Sequence, residues 1–447
     1  MATTYLSKTL PASDEGAAWT FSTWVKRGNL TTTQCIISAG TASNTRFQLY
    51  FGSGDAIGLF VDMVGTSSTD WETTAKYRDP GAWYHIVLNW NGSAIALYVN
   101  GVQVTEGVGT TTGDGSNKLV IGTNIEHKIG AIYDGSWDFT GSMAHTHFCA
   151  ENTYTASSFG EFDATSGVWV PKTGPSVTYG TNGFFLKYQD TTNFGDDSSG
   201  NENDFTVTAG TMTQTKDNPN NNFASMTPLN ASAAVTLSNA NTTVFGNTTS
   251  SGNVSVAICP DTGKWYAECK YATIVSNYPR AGVFQLNDRD FGRVQNSTAG
   301  AAGEATNGVQ YSAAGAMTTG GSETGSWGSA VSAGGIVQLA IDNDNGAIYI
   351  GVNNTWQNSG VPTSGATRTG AATTWTPGPP PTGDSTGTAF GDACYNGSYS
   401  NWNFGNGYFG TTAVTSAEAD GNGEGQFEYA PPTGYFALCT NNLGSES

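Results

Sequence analysis

Residues 83–102 read WYHIVLNWNGSAIALYVNGV, and this stretch sets the fold class. Two runs, 83–90 and 95–99, are rich in the aromatic and β-branched residues that fit a pleated surface. Between Tyr98-Val99 and Val102 stands Asn100-Gly101, the pair that tolerates the positive φ of a type I′ hairpin turn. Working outward, runs at 18–25, 46–51 and 57–63 alternate apolar and polar residues between Gly and Asn punctuation, as strands of a stacked antiparallel sandwich do. A second set at 263–272, 281–284, 335–341 and 347–352 repeats the pattern, with the polar turn Asp342-Asn343-Asp344-Asn345-Gly346 joining the last two.

The whole chain supports an all-β reading. Its 447 residues exceed what one core usually serves, so two or three domains are expected. Only 12% of residues are charged, 12% are aromatic and 59 are glycine, a mixture suited to strands and turns and poor in long amphipathic helices. The aromatic content also argues against global disorder. The net charge of -19, with no Lys/Arg cluster, makes nucleic acid and anionic membranes poor partners. Residues 1–16 lack a basic stretch followed by an apolar one, and no run approaches about 18 apolar residues, so neither a secretory signal nor a membrane span is expected. Cys35, Cys149, Cys259, Cys269, Cys394 and Cys439 lack CxxC spacing and read as free buried thiols from a reducing cytoplasm.

The expected organisation is a sandwich over residues 1–172, a connector with short strands over 173–233, a second sandwich over 234–410, and a C-terminal aromatic segment with a polar tail over 411–447. The Gly/Ala/Thr stretch 299–328 and the Pro-rich 376–383 read as long surface loops.

Several motifs resemble known families. Thr20-Phe21-Ser22-Thr23-Trp24-Val25, Asp79-Pro80-Gly81-Ala82-Trp83-Tyr84-His85, Leu97-Tyr98-Val99-Asn100-Gly101 and Phe139-Thr140-Gly141-Ser142 are similar to a laminin G-like, concanavalin A-like lectin domain of the sort widespread in phage proteins. Gly263-Lys264-Trp265-Tyr266-Ala267-Glu268, the hairpin Leu339 to Ile350, Asn354-Thr355-Trp356 and Asn401-Trp402-Asn403-Phe404-Gly405 resemble a SPRY domain, a β-sandwich known mainly as a protein-interaction module. The joins around Phe159-Gly160-Glu161, Asp197-Ser198-Ser199-Gly200 and Tyr429-Ala430-Pro431-Pro432 look like those of lectin-plus-SPRY proteins of marine tailed phages. The resemblance implies a concanavalin A-like jelly roll and a SPRY-like sandwich joined by an irregular connector. It also implies a virion protein, made in the host cytoplasm and released by lysis. The role expected is non-enzymatic: a tail fibre or surface appendage displaying lectin-like domains toward a host-surface glycan or protein. The alternative is a capsid or tail decoration or joint protein. Partners would be other virion proteins, a host-surface glycan and further copies of the chain.

Candidate chemistry is sparse. Glu161-Phe162-Asp163-Ala164 resembles the E-x-D-x-x-E strand of concanavalin-like glycoside hydrolases, yet Ser166 stands where the second carboxylate belongs. Hydrolysis needs two carboxylates about 5 to 10 Å apart, so no catalytic residue is assigned. His145 and His147 would share a strand face but lack a third ligand, and His85 and His127 form no set with them. Asp190, Asp196, Asp197, Asn201, Asn203 and Asp204 offer clustered hard oxygens of the kind calcium takes, and the laminin G resemblance implies that calcium is possible; Asp/Asn turns give the same composition. Trp71, Trp137, Trp327 and Trp375 are loop aromatics that a sugar ring could stack on, against the alternative that each is core.

Overall fold

The computed structural model describes residues 4–12, 18–43, 45–63, 68–110, 120–286, 308–320, 322–377 and 387–445. They divide into two units, Met1–Gln214 and Thr215–Ser447, both built of stacked sheets. The architecture is all-β with two sandwiches, as the sequence implied. Among the described residues the one α-helix is Thr440–Ser445, and no helix is long and apolar enough to cross a membrane.

In the first unit a six-stranded sheet runs in the spatial order Phe184–Leu186, Gly141–Ala150, Trp19–Arg27, Trp83–Trp90, Ile95–Val99, Val102–Val104. An eight-stranded sheet runs Gly107–Thr110, Thr69–Thr73, Ile57–Met63, Thr45–Phe51, Gln34–Ala42, Glu126–Ile129, Tyr5–Thr9, Thr206–Thr208. Every pairing within the two sheets is antiparallel. Trp19, Phe21, Val25, Ile86 and Leu88 of one sheet meet Ile37, Phe47 and Leu49 of the other in a dry core. Each such side chain contributes roughly 1.5–3 kcal/mol on burial. Asn100 and Gly101 have φ of 48° and 83°, both positive as the type I′ turn requires, and Val99 faces Val102 across it. A Cβ on Gly101 would also stand 2.7 Å from the Trp169 ring, so glycine is needed there for space as well as for φ.

Period-two alternation would leave the second face of a strand in water, but here that face is covered. Ser22, Trp24, His85, Val87, His147 and Cys149 on the outer side of the six-stranded sheet are all buried. The cover consists of Tyr154, Ala156, Phe159, Trp169, Val177 and Tyr179, with the hairpin Gly160–Phe162/Trp169–Pro171.

The second unit repeats the design. One sheet runs Val235–Ser238, Thr243–Gly246, Tyr399–Asn403, Lys264–Thr273, Ile336–Asp342, Ala347–Val352, Thr355–Trp356, with Thr373–Thr374 and Phe436–Ala437 attached at its side. The other runs Gly252–Ser255, Gly387–Cys394, Arg280–Leu286, Val309–Ser312, Met317–Thr319, Ser322–Thr324. Trp265, Tyr271, Leu339, Ile348, Phe390 and Trp402 fill the space between. The larger sheet's outer face is covered in turn by Phe223, Phe427, Tyr435 and Cys439 against Tyr266 and Tyr349.

Two sequence expectations change here. The described part of 299–328 holds three strands and is not simply loop, because Val309–Ser312 pairs with Arg280–Leu286 and supplies an edge for the two strands that follow. Residues 299–307, 321 and 378–383 of the expected loops, and 1–3 and 13–16 of the N-terminus, lie outside the described residues. Within 173–233, Phe184–Leu186 and Thr206–Thr208 extend the two sheets of the first unit. All six cysteines are free thiols.

Candidate functional site

At one end of the first sandwich two loops converge: residues 28–33, entering the Gln34–Ala42 strand, and residues 130–140, entering Gly141–Ala150. Backbone bonds weld them. Gly28 N–H donates to Thr140 O and Cys35 N–H to Trp137 O, both at 2.7 Å, and Gly130 N–H reaches Ile36 O at 2.9 Å. The first loop is also held from below by Asp55, fully buried, whose Oδ1 accepts the Thr31 N–H at 2.8 Å and Arg27 Nη2 at 3.1 Å, while Oδ2 accepts Arg78 Nε at 2.9 Å. Burial pushes the Asp55 carboxyl up, but the Thr31 N–H and the two guanidiniums outweigh it and leave the group below the usual carboxylate range.

The second loop turns on Asp134-Gly135-Ser136. Asp134 Oδ1 accepts the Ser136 N–H at 2.9 Å and its hydroxyl at 2.7 Å, an Asx turn, and these bonds hold Asp134 below its ordinary pKa. The turn throws Trp137 out of the surface at 38% exposure, with φ of 56°, a backbone conformation a bulky aromatic residue rarely takes. The Tyr50 ring backs it at 5.6 Å. Beside the indole lies an open recess lined by Asn29, Thr32, Thr33, Gln34, Asp138 and Thr140. Gln34 is 1% exposed; its Nε2 bridges the Thr32 and Thr140 hydroxyls at 3.0 Å each, and its buried Oε1 meets no hydrogen-bond partner among the described residues. The arrangement is an aromatic platform beside neutral donors and acceptors with two carboxylates. It can bind a polar ligand, and it contains no nucleophile–base pair.

The other expected aromatics are placed differently. Trp71 packs on the first core, against Gly107, where a Cβ would come within 2.1 Å of its ring. Trp327 and Trp375 pack on the second core, Trp327 edge-on to Tyr311 at 6.1 Å.

The acidic-amide cluster folds its own loop. Asp197 Oδ1 accepts the N–H groups of Phe185 and Ser199, and Oδ2 accepts the Ser199 hydroxyl and the Asn203 N–H, which fills its four lone-pair positions. Asp204 Oδ1 takes the Asp197 N–H at 2.9 Å and Asp190 Oδ1 takes the Thr192 N–H at 2.8 Å. Asn201 and Asn203 turn their Nδ2 atoms to the carbonyl of Gly183. Asp196 is not drawn into these bonds by its side chain. This donor set does not fit calcium, and among the described residues no three His, Cys, Asp or Glu side chains are grouped to hold a metal. The Asp342 turn is likewise structural: its carboxylate accepts from Asn345 N and Nδ2 and pairs with Lys264 at 3.2 Å.

Glu161 is exposed on the covering hairpin, and the neighbouring Asp163 Oδ1 closes a turn on Ser166 N and Oγ. A β-bulge between Ala144 and His147 breaks the alternation assumed for His145 and His147. Both rings nevertheless lie against Phe185, and His147 Nδ1 meets Tyr179 Oη at 2.9 Å. One pair unforeseen in the sequence is Ser22 Oγ with His85 Nε2 at 2.9 Å. Trp169 Nε1, which can only donate, points at His85 Nδ1 at 3.0 Å, so Nδ1 is the acceptor and Nε2 carries the proton toward Ser22. That is the wrong tautomer for a base, and burial between Trp24 and Trp169 drops the His85 pKa to about 3.

The residues missed by sequence reasoning are Asn29, Thr33, Gln34 and Asp138, which are ordinary loop residues with no motif. The Asp134-Gly135-Ser136 turn was the one local signal that the next side chain would stand out.

Comparison with known proteins agrees on the first sandwich, which is of concanavalin A-like type. Residues 2–148 match the Laminin_G_3 family model, described as the Concanavalin A-like lectin/glucanases superfamily. No curated protein matches the chain. Among solved structures the chain is similar to the SPRY domain of human HERC1, at 11% identity and TM-score 0.30, covering 40% of this chain and 96% of that one. It is similar to domain 4 of AbnA, a GH43 extracellular arabinanase from Geobacillus stearothermophilus in complex with arabinotriose, at 22% identity and TM-score 0.28, covering 34% and 68%. A further human SPRY domain aligns at 14% identity and TM-score 0.27, covering 38% and 94%.

Proposed function

We propose that this protein is a non-enzymatic structural component of a bacteriophage particle, a tail fibre or surface appendage whose lectin-like sandwich binds a host-surface glycan. The observation that carries the reading is the sealing of the first unit's six-stranded sheet. Its outer face is filled by Tyr154, Phe159, Trp169 and Tyr179, which leaves no open groove there, and burial holds His85 and His147 neutral. Binding then falls to the sandwich-end loops, where an exposed indole stands over hydrogen-bonding groups. The motif resemblance to phage lectin-plus-SPRY proteins supports a virion setting, with synthesis in the host cytoplasm, release by lysis and several copies per particle.

Adsorption of phage carrying a deletion of this chain, together with binding of the purified chain to immobilised host-surface polysaccharide, tests the reading. Binding without release of reducing ends supports it; reducing ends, or no binding with unchanged adsorption, overturn it. A second reading, a capsid or tail joint protein, draws on the exposed apolar Val102, Phe162 and Val168, with Phe162 and the Gly101 turn both against Trp169. Electron microscopy of the particle separates the two: at a joint, this patch is buried against a neighbouring subunit.

A further inference from the structure

We infer that the recess beside Trp137 is a binding site for a single neutral sugar ring, a terminal uncharged hexose or N-acetylhexosamine, and that it excludes anionic sugars. The inference rests on the glycan-binding reading above and assigns it to a place and a ligand class.

Three features of the site specify the ligand. The indole of Trp137 is backed by Tyr50 and open on its outer side, and the C–H face of a pyranose is the kind of small, flat, half-apolar surface such a ring covers. Around it, the Asn29 amide, the Thr33 hydroxyl and the Asp138 carboxylate line the recess, with no side-chain hydrogen bond to another of the described residues. Together they supply both donors and acceptors, as vicinal hydroxyls require and as an apolar ligand would leave unpaired. Beneath them Gln34 is held between two threonine hydroxyls. Whichever way its amide is turned, one end bridges Thr32 and Thr140 while the other, itself buried, has no partner among the described residues. The buried amide thereby ties the two loops together and fixes the Thr32 and Thr140 hydroxyls at the edge of the recess.

Charge decides between sugar classes. Asp134 and Asp138 both line the recess, no Lys or Arg does, and the Ser136 bonds keep Asp134 ionised. A uronate or a sialic acid would bring a third negative charge to a site with no counter-charge, on a chain of net charge -19. The left-handed φ of Trp137 fits the same picture, because the welded loops hold the ring in place before any ligand arrives.

The test is saturation-transfer NMR and calorimetric titration of the full chain with glucose, galactose, mannose and N-acetylglucosamine, set against glucuronate, galacturonate and N-acetylneuraminate. At least one neutral sugar is expected to bind, with Trp137→Ala and Asn29→Ala each weakening it tenfold or more while circular dichroism and melting stay unchanged. Asn29 lies on the other loop, so its variant keeps the test valid if Trp137→Ala disturbs its own turn. Neutral-sugar binding that survives both variants refutes the recess while leaving glycan binding intact. Trp137-dependent binding of an anionic sugar refutes the ligand class, and no binding of any sugar, free or on immobilised host polysaccharide, overturns the glycan reading itself.

Discussion

The stability of the second sandwich is expected to fall as pH rises from about 4 to about 7, and Asp392→Asn is expected to remove a large part of that fall. Asp392 lies in the Gly387–Cys394 strand, 1% exposed, facing the core. Its Oδ2 accepts the Trp402 indole N–H at 2.7 Å and the Ser400 hydroxyl, its Oδ1 meets no donor, and no cation is among its partners. Burial pushes its pKa from the ordinary 3.8 to about 7 against the pull of those hydrogen bonds. The folded chain therefore holds a proton that the unfolded chain has lost across that window, so stability is highest below pH 4 and flat above 7. Three units at about 1.36 kcal/mol each give roughly 4 kcal/mol as an upper bound. Glu268, also pushed up to about 7 by burial, adds to the same slope and remains in the variant. Asparagine mimics the protonated acid: its Oδ1 accepts from Ser400 and Trp402, and its Nδ2 replaces the orphaned oxygen. The assay is urea unfolding of the full chain from pH 4.5 to 8.5, with hydrogen exchange in Lys264–Thr273 and Gly387–Cys394 reporting the second unit. The variant should be the more stable protein at pH 8 by a few kcal/mol, and by only about 1 kcal/mol near pH 4.5, where the unfolded acid is just ionised. Equal destabilisation at both pH values, or an unchanged slope, refutes the reasoning.

The first sandwich should respond in the opposite direction. Asp55, held below its ordinary pKa, contributes stability above that range that is lost as pH falls through the folded value, so acid unfolding followed by hydrogen exchange should open Ile57–Met63 before Gly387–Cys394. Asp55→Asn leaves the fully buried Arg27 without its counter-charge and should cost about 3–5 kcal/mol in chemical denaturation; a loss under 1 kcal/mol would show the pair to be dispensable. Above pH 7, where Glu268 is ionised and accepts from Glu428 N, Tyr429 N, Tyr266 Oη and Asn403 Nδ2, Glu268→Gln replaces one accepting oxygen with a donor and should release residues 427–439 to proteolysis at a cost of about 2 kcal/mol. Trp169→Ala should loosen the cover over His85 and raise the His85 pKa toward 6.5, read by NMR titration; an unmoved titration means the cover does not depend on this indole.

How much was legible varies with the range of the interaction involved. The runs 57–63, 83–90, 95–99 and 347–352 are strands with the bounds their residues imply, because strand propensity and turn chemistry are local. Asn100-Gly101 fixed its hairpin for the same reason. Among the four tryptophans, composition did not separate Trp137, open on a loop, from Trp71, Trp327 and Trp375, partly packed on cores. Exposure depends on which chain segment returns to cover a ring. Likewise Asp190 to Asp204 had the composition of a cation site, and the folded loop spends those oxygens on backbone N–H groups.

By itself the sequence determined an acidic, all-β chain of two sandwiches without a recognisable catalytic set, since alternation, turn residues and charge are properties of neighbouring positions. Only the tertiary structure decided that one sheet in each unit is buried on both faces, that His85 carries its proton on the wrong nitrogen for a base, and that Gln34 and Asn29 come to line the same recess as Trp137 about 100 residues away. These contacts join segments distant along the chain. Their energies come from desolvation and packing that no single segment can specify.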